Sequence, residues 1–240
     1  IIYVWRGTDR ENGIYYLKID GNNEVIRLLD DFDASYSLID NDGTKFYFKT
    51  DLDAENGRII AIDISNPAKE NWTEIIPESK DVLTSATIIN NQFVLTYMHD
   101  AYDQLKIYNL DGTFDKEIDM PTIGSIYSIS GERNDTELFV EFASFIYPTT
   151  SFRYNFETDE LSVYHKSDVK FDPSGYETKQ IFFNSKDGTR IPLFITHKKD
   201  LVLDGNNPTI LYGYGGFQSC QTPYFSLSKA MWIENGGVFV

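Results

Sequence analysis

The sequence predicts a mainly β fold in two parts: a partial β-propeller over residues 1–168 and the opening of an α/β sheet over residues 169–240. Three observations carry this. Apolar segments recur about every 45 residues. Those segments alternate as strands do and are separated by turn residues. The pattern breaks after Lys166, where a Pro/Gly linker leads into a hairpin, a glycine loop and a helix.

One series of segments starts at Ile14 (IYYLKID), Ile59 (IIAIDIS), Leu105 (LKIYNLD) and Ser151 (SFRYNFE), at intervals of 45, 46 and 46 residues. A second starts at Ile2, Phe46, Phe93 and Leu138, at intervals of 44, 47 and 45. Two independent series with one period establish a repeat. In KFYFKTD, Phe46 and Phe48 alternate with Lys45, Tyr47 and Lys49, which predicts a strand buried on one face. Asp42-Gly43 and Asp111-Gly112 stand where tight hairpins need positive φ, and Asn22-Asn23 and Asn90-Asn91 also tolerate left-handed backbone. No stretch before residue 225 carries a helical apolar stripe longer than two turns. About four strands per repeat of ~45 residues is the pattern of a propeller blade, and about three and a half blades fit.

Ser167 to Gly175 has linker chemistry. Thr178–Phe183 and Arg190–His197 then predict a hairpin around Ser185-Lys186-Asp187-Gly188-Thr189. Pro208–Tyr212 reads as a short buried strand leading into Gly213-Tyr214-Gly215-Gly216-Phe217. Leu227–Glu234 reads as a helix stopped by Gly236-Gly237, and Val238–Val240 as a last buried strand. This order opens an α/β sheet.

The balance of 21 basic against 37 acidic residues gives a net charge of −16, a field that repels polyanions. Nucleic-acid and anionic-membrane binding are therefore not expected, and no run reaches the ~18 apolar residues of a membrane span. The single cysteine, Cys220, excludes an internal disulfide framework. Both ends are apolar runs, Ile1–Trp5 and Gly236–Val240, so we expect a piece of a longer protein whose true N-terminus lies outside it, and the lack of signal-peptide features at Ile1 says little.

The glycine loop is the segment with chemical content. A glycine-rich loop after a sheet strand lets backbone approach a reacting carbonyl, and a tyrosine there can offer its O–H to a developing oxyanion. From the pentapeptide alone, a glycine-rich turn that only needs positive φ is the favoured reading, and position and context shift it. It is not a P-loop, because no Gly-Lys-Ser/Thr follows.

A propeller of ~45-residue blades leading into Lys186-Asp187-Gly188-Thr189-Arg190-Ile191-Pro192 and then Leu211-Tyr212-Gly213-Tyr214-Gly215-Gly216-Phe217 resembles the prolyl oligopeptidase family. Asp63–Trp72, Pro77–Val82, Asp135-Thr136-Glu137 with Phe145, and His197-Lys198-Lys199 also look like it. The resemblance spans nearly the whole chain. It implies a serine peptidase in which a seven-bladed propeller caps an α/β-hydrolase domain and admits short, proline-containing peptides. Residues 1–168 would be about three and a half blades, and 169–240 the start of the catalytic domain. Tyr214 would be the oxyanion-hole hydroxyl, and Phe217 part of the pocket for the substrate's proline ring. Gly213, Gly215 and Gly216 would form the loop backbone, and Tyr212 would pack structurally. Mammalian members carry a propeller cysteine where Leu17 stands here.

The family works by Ser-His-Asp acyl transfer, yet this chain has no Gly-x-Ser-x-Gly, so the triad is expected outside it and the chain alone is expected to be inactive. His99, His165 and His197 read as structural or solvated. No cofactor or metal is implied, the parent would be a monomer, and the cytoplasm is the expected compartment, with a periplasmic address open. Two alternatives stand beside this reading. One is a sister oligopeptidase cleaving after basic residues, against which Phe217 argues. The other is a non-catalytic propeller that binds a partner, which leaves the glycine loop without a purpose.

Other features carry less. Asp30-Asp31-Phe32-Asp33 reads as a solvated acidic loop rather than a cation site. Asp51–Gly57 fails as a calcium loop, its glycine one place late and Ile62 where a bidentate Glu is needed. Asn71-Trp72-Thr73 and Asn134-Asp135-Thr136 are chance-level sequons. Cys220 lies close to the glycine loop, with no cation beside it in sequence.

Overall fold

The computed structural model describes residues 1–19, 21, 24–217 and 219–240. The predicted Asn22-Asn23 turn lies outside them. The described residues form five sheets. The first holds β1 (Ile2–Trp5), β2 (Asn12–Tyr16) and β3 (Ile26–Leu29) in that order. The second runs β4 (Tyr36–Asp42), β5 (Lys45–Thr50), β6 (Arg58–Asp63), β7 (Thr73–Ile76). The third runs β8 (Val82–Ile89), β9 (Gln92–His99), β10 (Tyr102–Asn109), β11 (Phe114–Ile118). The fourth runs β12 (Ser125–Ser130), β13 (Glu137–Ala143), β14 (Thr150–Asn155), β15 (Glu160–Lys166). Sheets one, two and four are antiparallel meanders.

From the second sheet to the fourth, each series of the sequence repeat occupies one place in this scheme, while Ile2 and Ile14 fall on the first and second strands of the three-stranded first sheet. Phe46, Phe93 and Leu138 fall on β5, β9 and β13, the second strands of their sheets. Ile59, Leu105 and Ser151 fall on β6, β10 and β14, the third strands. The turns follow their residues. Asn90 and Asn91 have φ of 54° and 52°, and Gly43 has 59°. At Gly112 the φ of 87° is matched by crowding, since a β-carbon there would collide with the Ile75 carbonyl.

By its contacts the chain divides into two compact units, residues 1–97 with 106–117 and residues 98–105 with 118–240. In the first, successive sheets pack face to face. Phe48, Ile60 and Ile62 of the second sheet join Ile14 and Leu29 of the first in one buried cluster. On its other face Tyr47, Ile59 and Ala61 join Phe93, Leu95 and Tyr97 of the third. β5 is therefore not the half-buried strand predicted from KFYFKTD: Tyr47 is 3% exposed and Phe48 0%. A sheet sandwiched between two others needs apolar residues on both sides, and the tyrosine supplies the second. The Tyr47 hydroxyl reaches Asp42 at 2.9 Å, which lets a polar tip sit in that layer. Buried Asn12 ties the first two sheets through backbone, accepting from Tyr36 N–H at 2.7 Å and donating to Tyr36 O at 3.0 Å.

The second unit holds the fourth sheet and a fifth, ordered β16 (Tyr176–Asn184), β17 (Arg190–Lys198), β19 (Val238–Phe239), β18 (Thr209–Ile210). β16 and β17 form the predicted hairpin, closed by Ser185 N–H to Thr189 O at 2.8 Å. β18 and β19 are parallel and joined through α1 (Leu227–Glu234), the predicted helix. Gly236, at φ 85°, ends it in the left-handed conformation that glycine adopts without strain. Its buried cluster comprises Phe145, Ile146, Phe194, Ile233 and Phe239. The run Pro208–Tyr212, expected as a buried strand, is exposed instead, with Leu211 at 72%. It carries β18, an edge strand bonded only to β19.

Candidate functional site

β18 delivers the glycine loop. Parallel pairing continues one step past the strand, with Val240 N–H donating to Ile210 O and Tyr212 N–H to Val240 O, both at 2.8 Å. From Gly213 the chain leaves the sheet, and Ser219 N–H to Gly216 O at 3.1 Å closes a turn around Phe217. Gly213, Tyr214 and Gly215 are exposed. The Tyr214 ring lies over Gly216, where a β-carbon would stand 3.3 Å from the phenolic oxygen.

The loop forms one wall of a pocket of about 590 Å³. Tyr212, Gly213 and Tyr214 line one side, and residues 219–222 continue it. Residues 191–194 of β17 and Phe145 form an apolar wall, completed by Phe239, Tyr224 and Lys229. The volume is that of a small-molecule or short-peptide site, and the few polar groups among apolar walls are what such sites use for orientation.

Tyr214 is 56% exposed, with no hydrogen-bond partner among the described residues. Tyr212, expected to pack structurally, is 52% exposed and lines the same pocket. Its position at the exposed end of an edge strand leaves the ring little to pack under. Gly215 and Gly216 shape the turn without lining the pocket. Phe217 stands apart: its φ is 55°, its ring is 93% exposed, and it is not among the lining residues.

Sequence reading missed Lys229. Its Nζ is buried without a hydrogen-bond partner, 3.5 Å from the ring centre of Tyr224 and 4.2 Å from that of Phe239. Burial pulls its pKa down to about 8. No local signal could have found it, because three of its four rings, residues 145, 212 and 239, come from other segments. Cys220, for which no cation was visible in sequence, is exposed and lines the same pocket as Lys229.

The histidines lie elsewhere. His197 is 2% exposed, with Nδ1 2.6 Å from Lys198 O. His165 is exposed on β15, and the His99 ring meets Tyr102 edge-on at 5.4 Å. The acidic loop is neutralised from within: Lys69 Nζ is 2.6 Å from Asp33 and 3.2 Å from Asp31. Asp30 pairs with Arg27 and accepts from the Tyr15 hydroxyl.

Residues 1–167 match the family model described as prolyl oligopeptidase, N-terminal beta-propeller domain. This chain belongs to the prolyl oligopeptidase family. It is 40% identical over 228 residues to a prolyl endopeptidase of Elizabethkingia meningoseptica, covering 95% of this chain and 32% of that protein. A prolyl endopeptidase of Dictyostelium discoideum is 32% identical over 231 residues, 90% of this chain and 30% of that one. Among solved structures, ligand-free prolyl oligopeptidase B from Galerina marginata superposes with a TM-score of 0.88 at 30% identity, over 99% of this chain and 35% of that one. The same fungal protein bound to a 35mer hydrolysis and macrocyclization substrate gives a TM-score of 0.85 at 30% identity, over 99% and 35%. The chain thus spans about a third of the length of the relatives it matches.

Proposed function

We propose that the full-length protein is a serine oligopeptidase that hydrolyses short peptides on the carboxyl side of proline. In this reading residues 1–168 belong to a seven-bladed propeller, and residues 169–240 begin an α/β-hydrolase domain whose Ser, His and Asp lie beyond this chain. The observation that carries it is the Tyr214 hydroxyl, without a hydrogen-bond partner among the described residues, on a glycine loop at the rim of an apolar pocket. The names of the relatives and the peptide bound in the fungal structures support the same substrate class.

The reaction divides among parts as follows. The serine hydroxyl attacks the carbonyl carbon of proline while histidine takes its proton. Charge then develops on the carbonyl oxygen. A tyrosine O–H fixed by its loop donates to that oxygen, with a backbone N–H beside the serine, and needs no reorganisation as the charge forms. As the carbonyl re-forms, the C–N bond breaks and histidine hands its proton to the leaving amine; water then releases the acyl group from serine by the same steps. Gly213 and Gly215 keep side chains away from the approaching carbonyl. Phe217, uncovered beside the pocket rather than lining it, offers the aromatic face that meets the pyrrolidine ring in this reading, at little entropy cost. No cofactor enters, the protein acts as a monomer, and the cytoplasm is its compartment.

The test is Tyr214→Phe in the full-length protein. Loss of one oxyanion donor lowers kcat by about 10²–10³-fold with KM nearly unchanged. A rise in KM at constant kcat would contradict the assignment.

A further inference from the structure

Among the described residues Lys229 is the one charged side chain lining the pocket, and its surroundings do not match its charge. Its Nζ is buried and donates no hydrogen bond to any described residue. Four rings surround it: Tyr224 at 3.5 Å, Phe239 at 4.2 Å, Phe145 at 5.1 Å and Tyr212 at 5.7 Å. The inner two, Phe145 and Phe239, belong to the buried cluster. The outer two, Tyr212 and Tyr224, are 52% and 38% exposed and face the pocket. Ring faces attract an ammonium, but they do not accept its N–H groups as oxygen does. Buried charges in proteins are paired, and an unpaired one calls for an explanation. The lowered pKa has burial as its cause and no opposing carboxylate to offset it.

We propose that Lys229 is the cationic end of a carboxylate-binding site, whose ligand places its carboxylate on Nζ and its apolar body against the aromatic walls of the pocket. Displacing the outer tyrosine rings opens the way to Nζ, while Phe145 and Phe239 hold the lysine in place. The carboxylate has two sources: a bound molecule, or an acidic side chain of the same polypeptide beyond these 240 residues. The inference stands apart from the peptidase reading, and its test uses no turnover.

Binding of 3-phenylpropionate to the full-length protein, with 3-phenylpropionamide as control, is measured by calorimetry for wild type, Lys229→Met and Lys229→Arg. A carboxylate from a bound molecule predicts that wild type and Lys229→Arg bind the acid and not the amide. Lys229→Met then binds it about 10- to 100-fold more weakly, the worth of a hydrogen bond to a charged group. Wild-type affinity is full below pH 8 and falls as pH rises through about 8, while Lys229→Arg keeps it. The other titratable groups facing Lys229 in the pocket are Tyr212, Tyr214, Tyr224 and Cys220, with Glu234 on its own helix. The pH series is therefore run on a Cys220→Ser background, and the arginine variant separates the lysine from the tyrosines. A carboxylate supplied by the polypeptide predicts no binding of the acid, and a large fall in thermal midpoint for Lys229→Met that Lys229→Arg restores. If Lys229→Met does not fold while Lys229→Arg does, that counts with this second result. No binding of the acid together with an unchanged or raised midpoint in Lys229→Met would overturn the proposal.

Discussion

The Tyr214 ring rests on Gly216 with no room between them: a β-carbon at 216 would lie 3.3 Å from the phenolic oxygen. The glycine is there for this contact rather than for a left-handed backbone, since 216 is absent from the positive-φ positions. Gly216→Ala is therefore compatible with the loop but moves the tyrosine hydroxyl by a few tenths of an ångström. On the oxyanion reading, kcat of the full-length protein for a prolyl peptide falls about tenfold with KM held, since misplacement on the order of 1 Å costs about 10²-fold. Steady-state kinetics check this; an unchanged kcat would separate Tyr214's position from turnover.

The stacked sheets of the first unit depend on Phe93. It is 0% exposed, and its ring meets Tyr47 edge-on at 5.3 Å across two sheets. Phe93→Ala leaves a cavity between them and costs about 3–5 kcal/mol, read as a lower urea midpoint. A cost under about 1 kcal/mol would mean that the two sheets do not rely on this layer.

Asp103 gives a pH dependence with a defined sign. Burial pushes its carboxyl up, and the hydrogen bond from Ile126 N–H, at 2.8 Å, only partly offsets this. A carboxyl raised in the folded state binds more protons there than in the unfolded chain, so stability falls as pH rises through its folded pKa. Asp103→Asn keeps an acceptor for Ile126 and removes the charge. The variant is expected to unfold at a higher urea midpoint than wild type at pH 7, and the difference to shrink as pH falls below the ordinary aspartate value of about 3.9, where the carboxyl is protonated folded and unfolded alike. An equal difference at pH 7 and below that value would contradict this.

Much of the fold was legible because its signals are local. The two repeat series mark the second and third strands of the second, third and fourth sheets, and the first two strands of the three-stranded first sheet; Asn90, Asn91, Gly43 and Gly112 turn where their dipeptides said. The same holds for the helix at Leu227–Glu234 with its stop at Gly236. What failed was non-local. Tyr47 read as the solvent side of β5 because a single strand cannot show that another sheet covers it. Pro208–Tyr212 read as buried because its composition is apolar, whereas its place at a sheet edge decides its exposure. At the site, the glycine loop announced Tyr214 by its own sequence. Lys229 stayed hidden in a short helix, because its ring partners at 145, 212 and 239 join Tyr224 around it only in three dimensions.

The measurement that tests the account most directly is hydrolysis of a blocked Gly-Pro fluorogenic peptide by the full-length protein, beside a blocked Arg substrate. Cleavage after proline, abolished by a serine-directed inhibitor and reduced about 10²–10³-fold by Tyr214→Phe, is the predicted result. Cleavage only after arginine would contradict proline specificity and the role of Phe217. No cleavage of either would contradict the peptidase reading and favour a propeller that binds rather than cuts.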